Sequence, residues 1–285
     1  MNVMALVTPK ALFEKVKDRP MAIGAFNVHN MDYVQAVVKA AELEKAPVIL
    51  MLGEPILAYA NLDMLANIAL YAAERSSVDI AVLLDHGTKP ENIERCIELG
   101  ISVMVDGSKL PYEENIQITK YYADKAHAKG QSIEAELGSL QGIEDVFDET
   151  AVENLTDPMK AKDFVERTCI DCLAVAIGNC HGKYKKPPVL DFERLLEIRR
   201  LTAVPIVLHG GSDLPEQMSR DAINYGIKKF NIGTDLKYAM CDALKEVLNR
   251  EPMPFQPQDT FGIAKEAVTE VTREKIRLFK NGMEF

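Results

Sequence analysis

Eight short apolar runs alternate with helical stretches along nearly the whole chain, and this alternation constrains the fold more than any other feature. The runs are residues 21–28 (MAIGAFNV), 46–52 (APVILML), 79–85 (DIAVLLD), 102–106 (SVMVD), 132–137 (SIEAEL), 172–177 (CLAVAI), 205–209 (PIVLH) and 228–232 (KKFNI). The strongest are almost continuously apolar and rich in Val, Ile and Leu, the pattern of strands covered on both faces. Between them, residues 32–44, 62–75, 90–99, 112–129, 192–201 and 216–225 carry apolar residues at helical spacing. Asn61 and Asp191 stand where helix N-caps are expected, and Gly100, Gly130 and Gly226 where helices end in a left-handed residue.

Strand–helix alternation implies parallel pairing through right-handed crossovers. Eight such units in 285 residues predict an α/β fold, a (β/α)8 TIM barrel occupying residues 1–285 as one domain. A doubly wound sheet is the rival, but its nucleotide fingerprint G-x-G-x-x-G is missing after the first run, which ends Gly24-Ala25-Phe26-Asn27-Val28. Two segments exceed a minimal barrel. Residues 138–158 form a polar, acidic loop after the fifth run, long enough for a lid or an insertion. Residues 260–280 form an extra C-terminal amphipathic helix after a Pro-rich break at 252–257, suited to packing or to a subunit contact.

Charge and cysteine usage narrow the partners. With 33 basic and 43 acidic side chains the net charge is −10, which leaves no basic footprint for nucleic acid or an anionic membrane. Five scattered cysteines fit reduced thiols rather than a disulfide framework. The first ten residues lack a basic segment followed by an apolar run, and no stretch reaches the length of a membrane span. A cytoplasmic protein is expected.

The chemistry gathers where three of the five histidines fall. His86 follows the third run, His181 the sixth, and His209 ends the seventh, each directly before a glycine. These are C-terminal strand ends, where barrel enzymes keep their active sites. Three imidazoles with an open fourth position make a catalytic zinc site. His29 lies near the same rim, whereas His127 falls on a helix, as a surface residue would. Asp85 precedes His86, and both can enter the site only if the strand ends and twists there. Asp85 is then either an acid/base group or a carboxylate orienting a ligand. Asp106 ends the fourth run, and Glu134 and Glu136 share one face of the fifth. Carboxylates inside a barrel need a cation or donors, so Asp106 and Glu136 suit a second cation or the support of a ligand histidine. After runs seven and eight, Gly210-Gly211-Ser212 and Asn231-Ile232-Gly233-Thr234-Asp235 lead into helices, with amides and hydroxyls suited to phosphate.

These motifs together resemble the class II, metal-dependent ketose-bisphosphate aldolases, the group of fructose- and tagatose-1,6-bisphosphate aldolases. The resemblance runs from about Gly24 to the helix after Asp235. It rests on Ala25-Phe26-Asn27-Val28, Leu84-Asp85-His86, residues 102–108 (SVMVDGS), residues 134–138 (EAELG) with Gly142, Glu144 and Asp145, residues 173–179 (LAVAIGN) with His181-Gly182, His209-Gly210-Gly211-Ser212, and residues 231–235 (NIGTD). The length is closest to the shorter, tagatose-type branch.

The resemblance implies that His86, His181 and His209 bind catalytic zinc and that Asp106 and Glu136 hold a second divalent or monovalent cation. It implies that Asp85 moves the C4 hydroxyl proton and that Glu144 exchanges a proton at the dihydroxyacetone phosphate carbon. Asn27, Gly182, Gly210, Gly211, Ser212, Asn231, Gly233 and Thr234 fall on substrate-binding elements. The implied reaction is reversible cleavage of a phosphorylated sugar to dihydroxyacetone phosphate and glyceraldehyde 3-phosphate, by a homodimer or homotetramer.

An imine mechanism needs an interior lysine of depressed pKa, and the sixth run ends in Ala-Ile-Gly-Asn without one; Lys183 lies beyond His181. Three positions depart from the common pattern: Glu54 where small hydroxyl residues are usual, Asp213 in place of glycine, and Gly233 where some fructose-type members carry an acid. The aldehyde half of the substrate therefore stays open. Another phosphorylated sugar or sugar acid, such as 6-phospho-5-dehydro-2-deoxygluconate, and a non-catalytic aldolase-like subunit are the alternatives.

Overall fold

The computed structural model describes residues 5–138, 155–184 and 186–285. Its eight strands are β1 (Ile23–Asn27), β2 (Val48–Gly53), β3 (Ile80–Gly87), β4 (Ser102–Val105), β5 (Ile133–Leu137), β6 (Cys172–Val175), β7 (Ile206–Leu208) and β8 (Ile227–Ile232). All pair in parallel and in sequence order, and β8 returns to β1 to close the barrel. Every expected run is a strand, and the doubly wound alternative is excluded by that closure.

The helices wrap the strands in order: α1 (Pro9–Glu14), α2 (Met31–Leu43), α3 (Glu54–Ala60), α4 (Leu62–Arg75), α5 (Pro90–Glu98), α6 (Tyr112–Ala128), α7 (Pro158–Thr168), α8 (Phe192–Leu201), α9 (Glu216–Tyr225), α10 (Thr234–Leu248) and α11 (Pro257–Lys280). Asn61 and Asp191 cap α4 and α8 through their side chains, accepting from Met64 N and Arg194 N. Gly100, Gly130 and Gly226 have φ of 78°, 73° and 120°, as their positions after helices require. The C-terminal helix begins three residues before the expected start, because Pro257 is tolerated in a helix's first turn. It packs on α2 and α10. No single helix among the described residues is long and apolar enough to cross a membrane.

Most of the core lies between strands and helices, built from the outward residues of the strands. A separate cluster inside the barrel (Leu12, Val16, Met21, Ile23, Ala25, Ile49, Met51, Ala81 and Leu83) joins α1 to the inward residues of β1 to β3. Phe13 packs with Met104, Cys172, Ala174 and Val207 from the opposite wall. The helix α1, which periodicity did not single out, thus plugs the N-terminal end. Catalytic groups have room only at the other end.

Candidate active site

The three histidines converge at the C-terminal rim. Ring centroids lie 5.1 Å apart for His86 and His181, 4.8 Å for His86 and His209, and 5.9 Å for His181 and His209. One nitrogen from each lies within 4.8 Å of the others. The expected strand distortion is present: His86 takes a left-handed conformation (φ 51°), and the β3–β4 register shifts between Leu84 and Gly87. That bulge brings Asp85 and His86 to the same site although they are neighbours.

The hydrogen bonds fix how two of the rings present themselves. Asp106 Oδ2 lies 2.8 Å from His86 Nδ1, and Glu134 Oε1 lies 2.9 Å from His209 Nε2. An ionised carboxylate only accepts, so each of those nitrogens carries its ring's proton; Asn231 Nδ2, also 3.1 Å from His209 Nε2, then serves Asp85 rather than the ring. Burial would raise the Asp106 pKa, but bonds from His86 and Ser108 hold it well below the usual carboxylate range. The remaining nitrogens, His86 Nε2 and His209 Nδ1, then face each other as lone pairs 3.0 Å apart. Burial pushes His181 well below its ordinary pKa, so its ring too is neutral. His181 Nδ1 and Glu136 Oε2 are buried without a hydrogen-bond partner among the described residues.

Facing lone pairs and orphaned acceptors are costly without a cation. This donor set fits a divalent metal held by His86, His181 and His209, with nitrogen ligands suited to zinc. His86, Asp106 and Glu136 form an overlapping second group. Burial and the nearby Asp106 charge raise the Glu136 pKa well above the usual range, the disfavoured charge a cation would relieve.

Asp85 sits beside this cluster, fully buried. Its oxygens accept from Asn27 Nδ2 at 2.9 Å and Asn231 Nδ2 at 3.1 Å. Asn27 and Asn231, read from sequence as substrate residues, thus also orient Asp85. Among the glycines, Gly210 (φ 65°) passes so close to Cys180 O that any Cβ would lie 2.0 Å from it. The Gly211 amide donates to Asn231 O at 3.0 Å, which ties this loop to the end of β8. Ser212 is buried and its hydroxyl accepts from Asp235 N, while Gly233 and Thr234 open α10. Gly182 (φ 86°) has open space where a side chain would stand. Glu144, with Gly142 and Asp145, lies outside the described residues.

The departures have structural explanations. Glu54 is buried and turned to the start of α5, where it accepts from Thr88 N at 3.1 Å, Lys89 N at 3.0 Å and Asn92 Nδ2 at 3.0 Å. Its carboxylate is a helix anchor. Asp213 adopts the left-handed conformation (φ 60°) that glycine commonly supplies, and accepts from Tyr184 N at 3.1 Å. It does not cap α9, whose N-cap is Pro215. His127, half-exposed on α6, pairs with Asp171 at the far end of the barrel.

Sequence reasoning missed Lys229. It is fully buried inside the barrel, with Nζ 2.7 Å and 3.0 Å from the two Glu134 oxygens. The signal was strand alternation: Lys229 shares the inward face of β8 with Asn231, whereas Lys228 points outward to the carbonyls of Val16 and Arg19. Also unforeseen is a cleft of about 390 Å³ on the same rim, lined by His29, Tyr33, Pro55, Ile56 and Lys237.

The model of the class-II fructose-bisphosphate aldolases matches residues 7–283. The chain belongs to the class-II fructose-bisphosphate aldolase family. Among solved structures, this aldolase chain is similar to the YdjI aldolase from Escherichia coli K12, at 35% identity and TM-score 0.87, over 97% of this chain and 98% of that one. A putative fructose-1,6-biphosphate aldolase from Coccidioides immitis matches at 28% identity and TM-score 0.87, over 96% of each chain. A fructose-bisphosphate aldolase (Fba) from Campylobacter jejuni, at 23% identity and TM-score 0.82 over 98% of this chain and 96% of that one, shares the fold. Membership in this family makes the chain a lyase of a generally metal-dependent class.

Proposed function

We propose that this aldolase cleaves a ketose 1,6-bisphosphate, fructose- or tagatose-1,6-bisphosphate, reversibly to dihydroxyacetone phosphate and glyceraldehyde 3-phosphate, with zinc as its catalytic metal. The observation that carries the reading is the pair of facing imidazole lone pairs beside a carboxylate held by two asparagines. A divalent cation bound by His86, His181 and His209 supplies Lewis-acid stabilisation for the negative charge that cleavage leaves on the three-carbon phosphate. Asp106 and Glu136, with His86, would hold a second cation.

The chain's own residues do the rest. Asp85 takes the C4 hydroxyl proton; the C4–O bond becomes a carbonyl as the C3–C4 pair moves to C3. Asn27 and Asn231 donate to both Asp85 oxygens and aim the carboxylate. Glu144, from its family position, exchanges the proton at C3 of the released fragment. The loops of Gly182, Gly210–Ser212 and Gly233–Thr234 receive the C1 phosphate, with close backbone approach in place of basic side chains. The cleft at His29, Tyr33 and Lys237 receives the far end of the aldehyde half, where the Lys237 ammonium suits an anion. Glu54 is hydrogen-bonded to the start of α5, so its carboxylate oxygens are committed to donors there. The same cleft suits the carboxylate of a sugar acid, the second reading. The protein works as a cytoplasmic homodimer or homotetramer on a small-molecule sugar phosphate, without nucleic acid or membrane.

The test is to incubate zinc-loaded protein with fructose- and tagatose-1,6-bisphosphate, and with phosphorylated sugar acids, and to follow dihydroxyacetone phosphate. Release from a bisphosphate is expected. Release from a sugar acid alone would favour the second reading, and release from none would overturn both.

A further inference from the structure

The Lys229–Glu134 ion pair lies directly under a proposed metal ligand, and its geometry gives it a task that packing does not explain. Glu134 stands on β5 and Lys229 on β8, strands that are not neighbours, so the pair spans the barrel interior. Neither is exposed: side-chain exposure is 1% for Glu134 and 0% for Lys229 and His209. Both Glu134 oxygens accept from the one ammonium, at 3.0 and 2.7 Å, and Oε1 also faces His209 Nε2 at 2.9 Å. Cys172 Sγ, on the neighbouring strand, donates to Oε2 at 3.4 Å. The carboxylate is thus fixed on two sides and offers only an acceptor to the imidazole.

We propose that Lys229 and Glu134 are positioning residues of the metal centre: Lys229 pins the Glu134 carboxylate against His209, which fixes that ring's proton on Nε2 and its Nδ1 lone pair toward His86. This rests on the reading of His209 as a metal ligand. A hydrophobic pair of similar volume would cost the fold little, since replacing both partners of a buried ion pair by apolar groups is often neutral or stabilising. Such an ion pair persists here because it holds the ligand ring, in the way that partners behind ligating histidines generally do.

Two measurements test it. Nitrogen-15 NMR of histidine-labelled protein, metal-free and zinc-loaded, is expected to show His209 as a single Nε2–H tautomer in both. An Nδ1–H tautomer or an even mixture in the unmodified protein would overturn the proposal without any variant. The double substitution K229M/E134M is then compared with the parent by zinc competition against a chromophoric chelator. Zinc affinity is expected to fall about 10- to 100-fold while the melting temperature of the metal-free protein stays close to that of the parent. Unchanged affinity with a retained Nε2–H tautomer would overturn it. A parent protein that binds no zinc, yet shows the expected tautomer, would instead count against the metal reading under Proposed function.

Discussion

The two ends of the barrel treat buried polar groups in opposite ways. At the N-terminal end the buried charges are paired: Asp171 accepts from His127 Nε2, Ile133 N and Lys10 Nζ, and Lys228 donates to the carbonyls of Val16 and Arg19. At the C-terminal end, Glu136 Oε2 and His181 Nδ1 have no hydrogen-bond partner among the described residues, and two imidazole nitrogens face each other. A fold that satisfies polar groups at one end and leaves them open at the other is storing binding capacity, because a buried acceptor without a partner costs about 1–3 kcal/mol. Even adjacent positions on one strand face divide this way. Glu134 is closed by Lys229, and Glu136, two residues on, has one oxygen without a hydrogen-bond partner among the described residues.

Substitutions at the two ends should separate along the same line. At the open end, Asp85→Asn is expected to lower turnover by about 10²- to 10⁴-fold, the usual weight of a general acid/base. Zinc content and melting temperature should be retained; parent-like turnover would remove Asp85 from its role. At the closed end, Phe13→Ala hollows the plug against Met104, Cys172, Ala174 and Val207. The expected loss is about 3–5 kcal/mol in denaturant unfolding, with turnover per folded molecule unchanged. A selective loss of turnover there would break the division of labour.

The smallest effect concerns Asp171. Burial raises its pKa, but Lys10, Ile133 N–H and His127 outweigh that and leave it below the ordinary value. A depressed folded pKa contributes stability above the unfolded value of about 3.9, and that stability is lost as pH falls through the folded value. Asp171→Asn is therefore expected to cost about 1–3 kcal/mol at neutral pH. The variant's acid-unfolding profile should be flatter than the parent's below about pH 4, and identical profiles would contradict the role given to Asp171.

The barrel and most of the rim were legible in the sequence because both depend on local pattern. Strands buried on both faces are written as apolar runs, and residues at their ends, such as His86, His181, His209 and Asp85, are placed by the fold as soon as the strand count is known. What the sequence hid depends on contacts across the barrel. Lys228 and Lys229 read as one basic pair, yet alternation sends one to helix carbonyls and the other to Glu134. Glu54 reads as an intrusion into a substrate site, but tertiary contacts take it to α5. Asp213 reads as a departure from glycine, yet its left-handed backbone takes the conformation that glycine commonly supplies. The plug α1 is only six residues, too short for periodicity to announce.

The same comparison sharpens the choice between metal and imine chemistry. The interior lysine exists, but both of its short contacts to Glu134 and its complete burial keep Lys229 from a substrate carbonyl. The open positions belong to imidazoles and carboxylates. The most direct test is deuterium exchange from heavy water into dihydroxyacetone phosphate, supplied alone, by metal-free and zinc-loaded protein. The account predicts exchange at one carbon position with zinc and none after chelation. Exchange that survives chelation, or no exchange in the zinc-loaded protein, would contradict it.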